Sequence, residues 1–348
     1  MRHATRRTIF TACAIPAVLW LAGARADDNY HLLKSYQFGA APGSTSEYFD
    51  YVTVDPAARR VYLSRGTAVQ IIDADSGASI GTVTGFKRQH GVALAPELGR
   101  GFISDGSLAT ITVFDLKTLQ RLATVKTDPD ADCVVYDPAT ERVLSMNGDG
   151  NSATVADAKN GQLIRTIALG GAPEFAVADG KGTVFANLAD KDQIIAIDTR
   201  SLQVKARWAT APEGEPTALA IDREHRRLFS AGRKPQQLVV MDADSGHIIQ
   251  SFPISGGTDA VAFDPQTSTV FVSTREGKLH LFHEDSPDSY RAVGTVATEF
   301  GAKTMGLDTH SHHVFLDTAD FSAAKTGGSS SGQRTAVPGT FRVLVYGP

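Results

Sequence analysis

The amino-acid sequence predicts an all-β fold, a seven-bladed β-propeller with four antiparallel strands in each blade. Three sequence marks recur along the chain with one spacing. The first mark is a β-rich run that ends in Asp, often followed by Pro, and its last residues lie 40 to 44 residues apart. These last residues are Asp55, Ala95, Asp137, Asp179, Asp222, Asp264 and Asp308. A unit of about forty residues that repeats in this way is typical of propeller blades.

The other two marks keep the same register. One is a run that ends in Asp at a turn, as in IIDADSG, VFDLKT, VADAKNG, AIDTRS and VMDADSG. The other lies between them: RVYLS, RGFIS, RVLSM, TVFAN, RLFSA, TVFVS and HVFLD. Alternating Val, Ile, Tyr and Thr suit half-buried strands, and the Asp, Pro, Ser and Gly between the runs suit turns. Seven units fill most of the chain, so we expect one propeller domain over residues 27–348.

The two ends of the chain predict how the ring closes. After the seventh unit's HVFLD run, the sequence offers one further strand, Phe341 to Tyr346, which leaves the last blade one strand short. The run Tyr30 to Phe38 is a strand left over at the start. We expect this N-terminal strand to complete blade seven beside residues 341–346, because closure removes free sheet edges. The Gly- and Ser-rich segment 326–340 interrupts this blade and predicts a flexible loop.

Residues 1–26 predict a cleaved signal peptide. The adjacent Arg6 and Arg7 lie in a positive start, residues 9–21 are apolar but too short to span a bilayer, and an A-x-A cleavage site ends at Ala26. The pattern favours Sec export over the twin-arginine route. We expect a periplasmic monomer without a membrane anchor. Only Cys133 remains after cleavage, which excludes an intramolecular disulfide.

The charge of the mature chain disfavours nucleic acid as a partner. Residues 1–26 hold four arginines and no acids, which leaves 30 basic and 38 acidic residues, a net charge of −8. Such a surface repels nucleic acid and anionic lipid on average. Basic and histidine-containing clusters at predicted hairpin turns are expected to face solvent. They are Arg59-Arg60, Lys87-Arg88, Arg226-Arg227 and the group His310, His312 and His313.

Two stretches, Val52–Gly77 and Val261–Leu281, follow the pattern V-A-x-D-P, then V-Y-V, then V-x-V-I-D-x-x-T/S-G. In this pattern the chain resembles the YVTN-type propeller repeats of the YncE-like family of secreted bacterial proteins. The resemblance runs over essentially the whole mature chain, and it implies the fold and the compartment. It implies function poorly, because these repeats are structural marks and propellers carry many functions.

One position in each unit marks the predicted mouth of the central channel. The first strand of a blade lines the channel, so the residue five places before each first mark is expected at the rim. These residues are Asp50, His90, Asp132, Glu174, Thr217, Asp259 and Lys303. Converging carboxylates predict a site for Ca²⁺ or Mg²⁺, or for a softer metal if the imidazole takes part. The candidate metal ligands are Asp132, Glu174 and His90, within a ligand-binding ring that also includes Asp50, Asp259 and Lys303.

Three interpretations of this ring stay open. Its residues can cap turns and face water, as acidic residues commonly do. They can bind a ligand, a metal ion or a partner protein, which is the leading interpretation because no HExxH, P-loop or dinucleotide motif is present. Crowded carboxylates can also supply the acid and the base of a metal-dependent hydrolase or lyase. Nucleic-acid binding is the weakest alternative.

Overall fold

A computed structural model of the chain describes residues 1, 30–323 and 334–348. Over these residues, 28 strands form seven four-stranded antiparallel sheets. The first strands of neighbouring sheets contact one another all the way round, so the sheets form a closed ring. The prediction of a seven-bladed β-propeller is confirmed. Residues 2–26 of the predicted signal peptide lie outside the described residues.

The strands follow the repeat in chain order, with one strand before the first blade. That strand is β1, His31–Gln37. Blades one to three are formed by β2 Phe49–Asp55, β3 Arg60–Arg65, β4 Ala68–Asp73, β5 Ser79–Thr84, β6 Gln89–Ala95, β7 Arg100–Asp105, β8 Thr110–Asp115, β9 Arg121–Lys126, β10 Ala131–Asp137, β11 Arg142–Asn147, β12 Ser152–Asp157 and β13 Leu163–Ala168. Blades four to six are formed by β14 Pro173–Ala178, β15 Thr183–Leu188, β16 Gln193–Asp198, β17 Gln203–Ala209, β18 Pro216–Asp222, β19 Arg227–Gly232, β20 Gln237–Asp242, β21 Ile248–Pro253, β22 Thr258–Asp264, β23 Thr269–Thr274, β24 Lys278–Ser286 and β25 Ser289–Ala297. Blade seven contains β26 Met305–Asp308, β27 His313–Thr318 and β28 Arg342–Gly347. Two 3-10 helices span Pro96–Leu98 and Ala189–Lys191.

The N-terminal strand β1 closes the ring, as the sequence predicted. It pairs antiparallel with β28, with His31 opposite Gly347 and Gln37 opposite Arg342, and so supplies the fourth strand of blade seven. The edge of β28 is thereby covered, which removes a template for pairing with another chain. The Gly- and Ser-rich segment lies in the connection from β27 to β28. Its residues 326–333 lie outside the described residues, and its flexibility stays a prediction.

The core lies between the blades. Seven clusters of buried hydrophobic residues are found in the described part of the chain, and each joins two adjoining blades. The third residue of each second strand enters this layer with at most 1% exposure: Tyr62, Phe102, Leu144, Phe185, Phe229, Phe271 and Phe315. Burial of one such side chain stabilises the fold by about 1.5–3 kcal/mol. This packing explains why the middle sequence mark keeps a large apolar residue at its third position.

The aspartates of the other two marks hold turns. Asp55 Oδ1 accepts the backbone N–H of Ala58 at 2.9 Å after a first strand. Asp73 Oδ1 accepts the N–H of Ser76 at 2.8 Å after a third strand. An aspartate that bonds to backbone N–H groups two or three residues on replaces a missing turn hydrogen bond. The repeated Asp is therefore a structural feature of the blade.

Several turns that the sequence predicts to be solvated instead join neighbouring blades. Arg59 bonds the buried Asp308 of blade seven, and Arg226 Nη1 lies 3.0 Å from the buried Asp179 Oδ2 of blade four. His312 Nδ1 lies 2.6 Å from the buried Asp264 Oδ2 of blade six. The prediction of simple solvated turns is wrong for these three side chains. Each of these residues lies four places after the Asp that ends the first strand of its own blade. In the ring, this position lies next to the preceding blade.

Candidate functional site

The start of the first strand is bulged in six of the seven blades, and this bulge aims the ring residues at the channel mouth. In β2, β6, β10, β14, β18 and β22 the pairing register shifts across the ring position, for example between Phe49 and Val52 or between Ala131 and Val134. A bulge inserts an extra residue, bends the strand and re-aims a side chain. Repetition of this bulge around the ring makes side chains from separate blades converge at one end of the channel.

A polar cavity of about 250 Å³ forms the channel mouth. All six ring residues named as candidates line it: Asp50, His90, Asp132, Glu174, Asp259 and Lys303. The seventh ring residue, Thr217, is buried, and its hydroxyl donates to the Glu215 carbonyl oxygen at 2.9 Å. The structure therefore brings the six candidates together, while their role in binding stays a prediction. The small size of the cavity suits an ion or a small ligand better than a large organic molecule.

One side of the mouth is a histidine between two carboxylates. His90 Nδ1 lies 2.6 Å from Asp50 Oδ2 and 3.1 Å from Asp132 Oδ1. The Tyr48 hydroxyl lies 3.3 Å from both Asp50 Oδ2 and His90 Nδ1. His90 Nε2 is buried, has no hydrogen-bond partner within residues 30–323 and 334–348, and faces Gly106, where a Cβ would lie 2.9 Å from it. Three potential ligand atoms from Asp50, His90 and Asp132 thus lie within 4.8 Å of one another.

The pKa of Asp50 is lowered, whereas the pKa values of His90 and Asp132 are raised. Burial raises the pKa of Asp50, but the Lys303 ammonium and the His90 imidazole outweigh it and hold the pKa below its usual value. Burial lowers the pKa of His90, but the Asp50 hydrogen bond and the Asp132 charge raise it overall. Burial raises the pKa of Asp132, and the neighbouring Asp50 and Glu174 charges add to that rise against the effect of His90. A single imidazolium therefore neutralises Asp50 and leaves Asp132 under-compensated.

Glu174 lies in the same cavity as a second under-compensated acid. Among the described residues, no hydrogen bond or ion pair engages its carboxylate. Burial raises the pKa of Glu174, and the charges of Asp259 and Asp50 add to this rise despite the opposing Arg233. The mouth therefore favours an incoming positive charge beside Asp132 and Glu174.

The opposite side of the mouth is internally neutralised. Asp259 accepts bonds from both Lys303 and Arg233. The Lys303 ammonium also lies 3.5 Å from Asp50 Oδ1. Burial lowers the pKa of Lys303, but the Asp259 and Asp50 charges raise it well above its ordinary value, so this lysine stays charged. The negative charge of Asp259 is therefore already compensated by Lys303 and Arg233.

Lys303→Met is expected to tighten the binding of a divalent cation at the mouth by about ten-fold, or about 1.4 kcal/mol. The substitution removes a fixed positive charge next to Asp50 and keeps a side chain of similar length. Isothermal titration with Zn²⁺ at neutral pH measures the change, with the exposed Lys126→Met as a charge-matched control. Unchanged or weaker binding by Lys303→Met would contradict the electrostatic effect expected of this ammonium.

Apolar side chains line the channel beneath the mouth. Residues of the first strands, including Val52, Val92, Val134 and Phe175, line a smaller cavity of about 70 Å³. Tyr51 lines both cavities, and its ring meets that of Phe175 edge to face with 5.2 Å between the centroids. The charged and polar side chains are therefore confined to the mouth, and the channel below it offers few polar atoms to a ligand.

A buried acid lies behind the rim at Asp317. The Thr304 hydroxyl lies 2.6 Å from Asp317 Oδ1 and 3.2 Å from the Asp50 carbonyl oxygen, while Asp317 Oδ2 has no hydrogen-bond partner among the described residues. Burial raises the pKa of Asp317 to about 8. Because the folded state holds this proton more tightly than the unfolded chain, the acid lowers stability as pH rises from about 4 to about 8.

Asp317→Asn is expected to remove this pH dependence, because the amide cannot ionise and its oxygen still accepts from Thr304. The variant should gain about 1 kcal/mol over wild type for each pH unit between pH 5 and pH 8. Urea denaturation at pH 5, 6, 7 and 8 measures the difference, with the exposed Asp149→Asn as control. A constant difference across this range would contradict the expectation.

Four residues outside the six predicted ring candidates also line the mouth. Tyr51, Arg88, Asp130 and Arg233 all contribute to the cavity. Arg88 and Asp130 flank ring positions of blades two and three, and Arg88 Nη1 lies 3.5 Å from Asp130 Oδ1. Arg233 comes from a loop between second and third strands, which the repeat places on the same face. A signal for Arg233 was present in its loop position, whereas the inward direction of Tyr51 depends on the bulge.

These features define the class of protein: a seven-bladed β-propeller with a polar pocket at one end of its central channel. No family model and no curated protein matches the chain. Among solved structures, hydrazine synthase of Kuenenia stuttgartiensis is similar, with a TM-score of 0.68 and 12% identity over 85% of this chain and 98% of that chain. A chain of a mitotic checkpoint complex gives a TM-score of 0.71 and 12% identity over 99% of both chains. Such low identities show the shared fold alone.

No helix in the described part of the chain is both long enough and apolar enough to cross a membrane.

Proposed function

We propose that this chain is a non-catalytic binding protein that holds a divalent metal ion, or the cationic group of a small ligand, at its channel mouth. The observation that carries the proposal is the convergence of Asp50, His90 and Asp132, whose ligand atoms lie within 4.8 Å of one another in a polar pocket. The uncompensated acids Asp132 and Glu174 add a local demand for positive charge. A bound cation meets this demand without moving the blades.

The donor set favours a transition metal over Ca²⁺ or Mg²⁺. Ca²⁺ takes six to eight oxygen ligands, and Mg²⁺ prefers oxygen ligands with several waters. An imidazole nitrogen with two carboxylates suits Zn²⁺, Mn²⁺ and related ions better. His90 and Asp132 would hold the ion, Asp50 would complete the set, and the Tyr48 hydroxyl would orient these ligands. The Ca²⁺ or Mg²⁺ expected from carboxylates alone becomes the second choice once His90 takes part.

Elemental analysis of untagged protein, followed by thermal unfolding with added metals, tests the proposal. We expect bound Zn²⁺ or Mn²⁺, and a melting temperature that rises with the concentration of added metal. Ca²⁺ and Mg²⁺ should give smaller shifts. The absence of bound metal, together with unchanged melting in all four ions, would refute a metal at the mouth.

A metal-dependent hydrolase or lyase is the second candidate, and the raised pKa values of Asp132 and Glu174 favour it. A carboxyl whose pKa is raised can act as a general acid beside a metal ion. Glu174→Gln would then abolish turnover and leave metal binding nearly unchanged. Metal-loaded protein assayed on panels of ester and phosphate substrates distinguishes the candidates, because a binding protein gives no Glu174-dependent turnover.

A periplasmic location and membership of the YncE-like group belong to the same proposal. They are supported by the sequence pattern of residues 1–26 and by the YVTN-type repeats. Expression of the full chain in a Gram-negative host should place a monomer in the periplasmic fraction. The mass of that product should correspond to a chain that starts at Asp27. A product that stays in the cytoplasm with residues 1–26 still attached would contradict this location.

A further inference from the structure

A second cluster of histidine and carboxylates lies on the opposite face of the ring, between blades five and six. Asp222 ends β18, His225 lies in the turn that follows it, and Glu284 lies near the end of β24. Ligand atoms of these three residues lie within 4.8 Å of one another. Among the described residues, this trio and the mouth trio are the two such groups of three or more.

Glu284 is a departure from the repeat. Its backbone N–H donates to the Ser268 carbonyl at 2.8 Å, the bond that the equivalent residue makes in five other blades. Those equivalents are Ala74, Leu116, Ala158, Thr199 and Ala243. They are small or apolar, and none carries a charge. The blade therefore does not need a carboxylate here, and the acid at this position calls for another explanation.

The two carboxylates of the cluster are buried and share one nitrogen. His225 Nδ1 lies 2.7 Å from Asp222 Oδ2 and 2.9 Å from Glu284 Oε1. The side chains of Asp222 and Glu284 are each 3% exposed, whereas that of His225 is 42% exposed. One imidazole N–H cannot donate along both directions at once. Neither oxygen of Glu284 accepts a hydrogen bond among the described residues.

The neighbouring hydroxyl of Tyr290 does not supply a positive charge. Tyr290 is 4% exposed, and its hydroxyl interacts with the Glu284 carboxylate, which raises the pKa of the tyrosine together with burial. The nearby cation Arg227 is bonded to Asp242 and Asp288, at 2.7 and 2.8 Å. Two buried carboxylates beside a neutral hydroxyl and an arginine bonded elsewhere leave a site with excess negative charge. Such burial is costly unless the charge is compensated.

We propose that Asp222, His225 and Glu284 form a second metal site, which binds a divalent transition-metal ion such as Zn²⁺ and joins blades five and six. His225 Nδ1 faces the buried carboxylates while its ring is partly exposed, so an ion enters from solvent by displacing the proton between them. The donor set of one nitrogen and two carboxylates suits Zn²⁺. Because the ligands come from two blades, the bound ion stabilises their contact in proportion to its affinity.

Zn²⁺ titration of untagged protein by calorimetry tests this site independently of the mouth. Glu284→Gln keeps the shape of the side chain, and His225→Ala removes the nitrogen. We expect each to lower the affinity for one equivalent of Zn²⁺ by at least 100-fold, while His90→Ala affects the other equivalent. His312→Ala is the matched control, because His312 Nδ1 also lies 2.6 Å from a buried aspartate, Asp264. Among the described residues, His312 is not part of a group of three potential metal ligands. This control variant should change the affinity less than two-fold.

Circular dichroism and thermal unfolding in EDTA show whether each variant is folded. Metal-free Glu284→Gln should melt at or above the wild-type temperature, because it removes a buried charge that only the metal compensates. Its melting temperature should no longer respond to Zn²⁺ at the second site. Unchanged Zn²⁺ binding in both variants would overturn the proposal. So would a metal-free Glu284→Gln that melts well below wild type, since that result would make His225 the acid's structural partner.

Discussion

Arg65→Met is expected to lower the free energy of unfolding by about 3–5 kcal/mol, because it leaves a buried carboxylate without its partner. Arg65 Nε lies 2.6 Å from Glu47 Oε1, and the two side chains are 2% and 0% exposed. The Arg65 guanidinium also bonds the Gly39 carbonyl oxygen and lies over the Phe341 ring, 4.3 Å from its centroid. Glu47 Oε2 accepts the backbone N–H of Gly339 at 3.0 Å. The pair thus ties blade one to both chain segments that meet at the closure of the ring.

Urea denaturation of wild type and three variants measures this effect. Glu47→Gln in the Arg65→Met background should recover a large part of the loss, because the uncompensated charge is then removed. Arg100→Met is the control, since Arg100 Nη1 lies 3.4 Å from Asp115 in a partly exposed pair worth about 0–1 kcal/mol. An Arg65→Met loss no larger than that of the control would show that closure does not depend on this pair.

Asp132→Asn is expected to weaken Zn²⁺ binding at the channel mouth by at least 100-fold. The amide keeps the volume of the side chain but removes the charge that no cation of the protein fully compensates. A factor of 100 corresponds to about 2.8 kcal/mol, which is reasonable for the loss of one charged ligand from a buried site. Calorimetric titration at neutral pH gives the affinity, and elemental analysis gives the stoichiometry.

Asp130→Asn provides the matched control for this prediction. Asp130 lines the same cavity, but it lies 3.5 Å from Arg88 and outside the three-ligand cluster. We expect less than a five-fold change for this variant. Equal losses in both variants would mean that the ion responds to the general field of the mouth and is not bound by Asp132. Without metal, Asp132→Asn should be at least as stable as wild type, because burial disfavours the charged carboxyl.

The fold was predictable because its determinants are local and repeated. Asp55 and Asp73 each cap a turn through a bond to a residue three places away, so the sequence marks and the structural units coincide. The large apolar residue at the third place of each second strand packs between blades in every repeat. The leftover strand at residues 30–38 had one unpaired edge to join, and β1 pairs with β28 there.

The sequence predicted most of the residues that line the site. It could not predict which of their charges are neutralised by other side chains and which are left for a ligand. Counting back from the repeat marks identified six of the ten residues that line the mouth. It could not show that Asp259 is neutralised by Lys303 and Arg233, while Glu174 has no partner in the described chain. Those differences depend on side-chain directions at the bulges and on contacts between blades. Residues at equivalent positions in different blades therefore differ in how far their charge is neutralised and in whether they can bind a ligand.

The sequence by itself determined the number of blades, the strand order and the end of the ring that carries the polar side chains. Each of these follows from short-range patterns of period 2 and of about 42 residues. Only the tertiary structure decided which charges meet. Asp50 meets Lys303 across the closure, and His225 meets Glu284 between blades. Pairs so far apart in sequence come together only when the ring closes, because closure fixes the distance and the direction between blades.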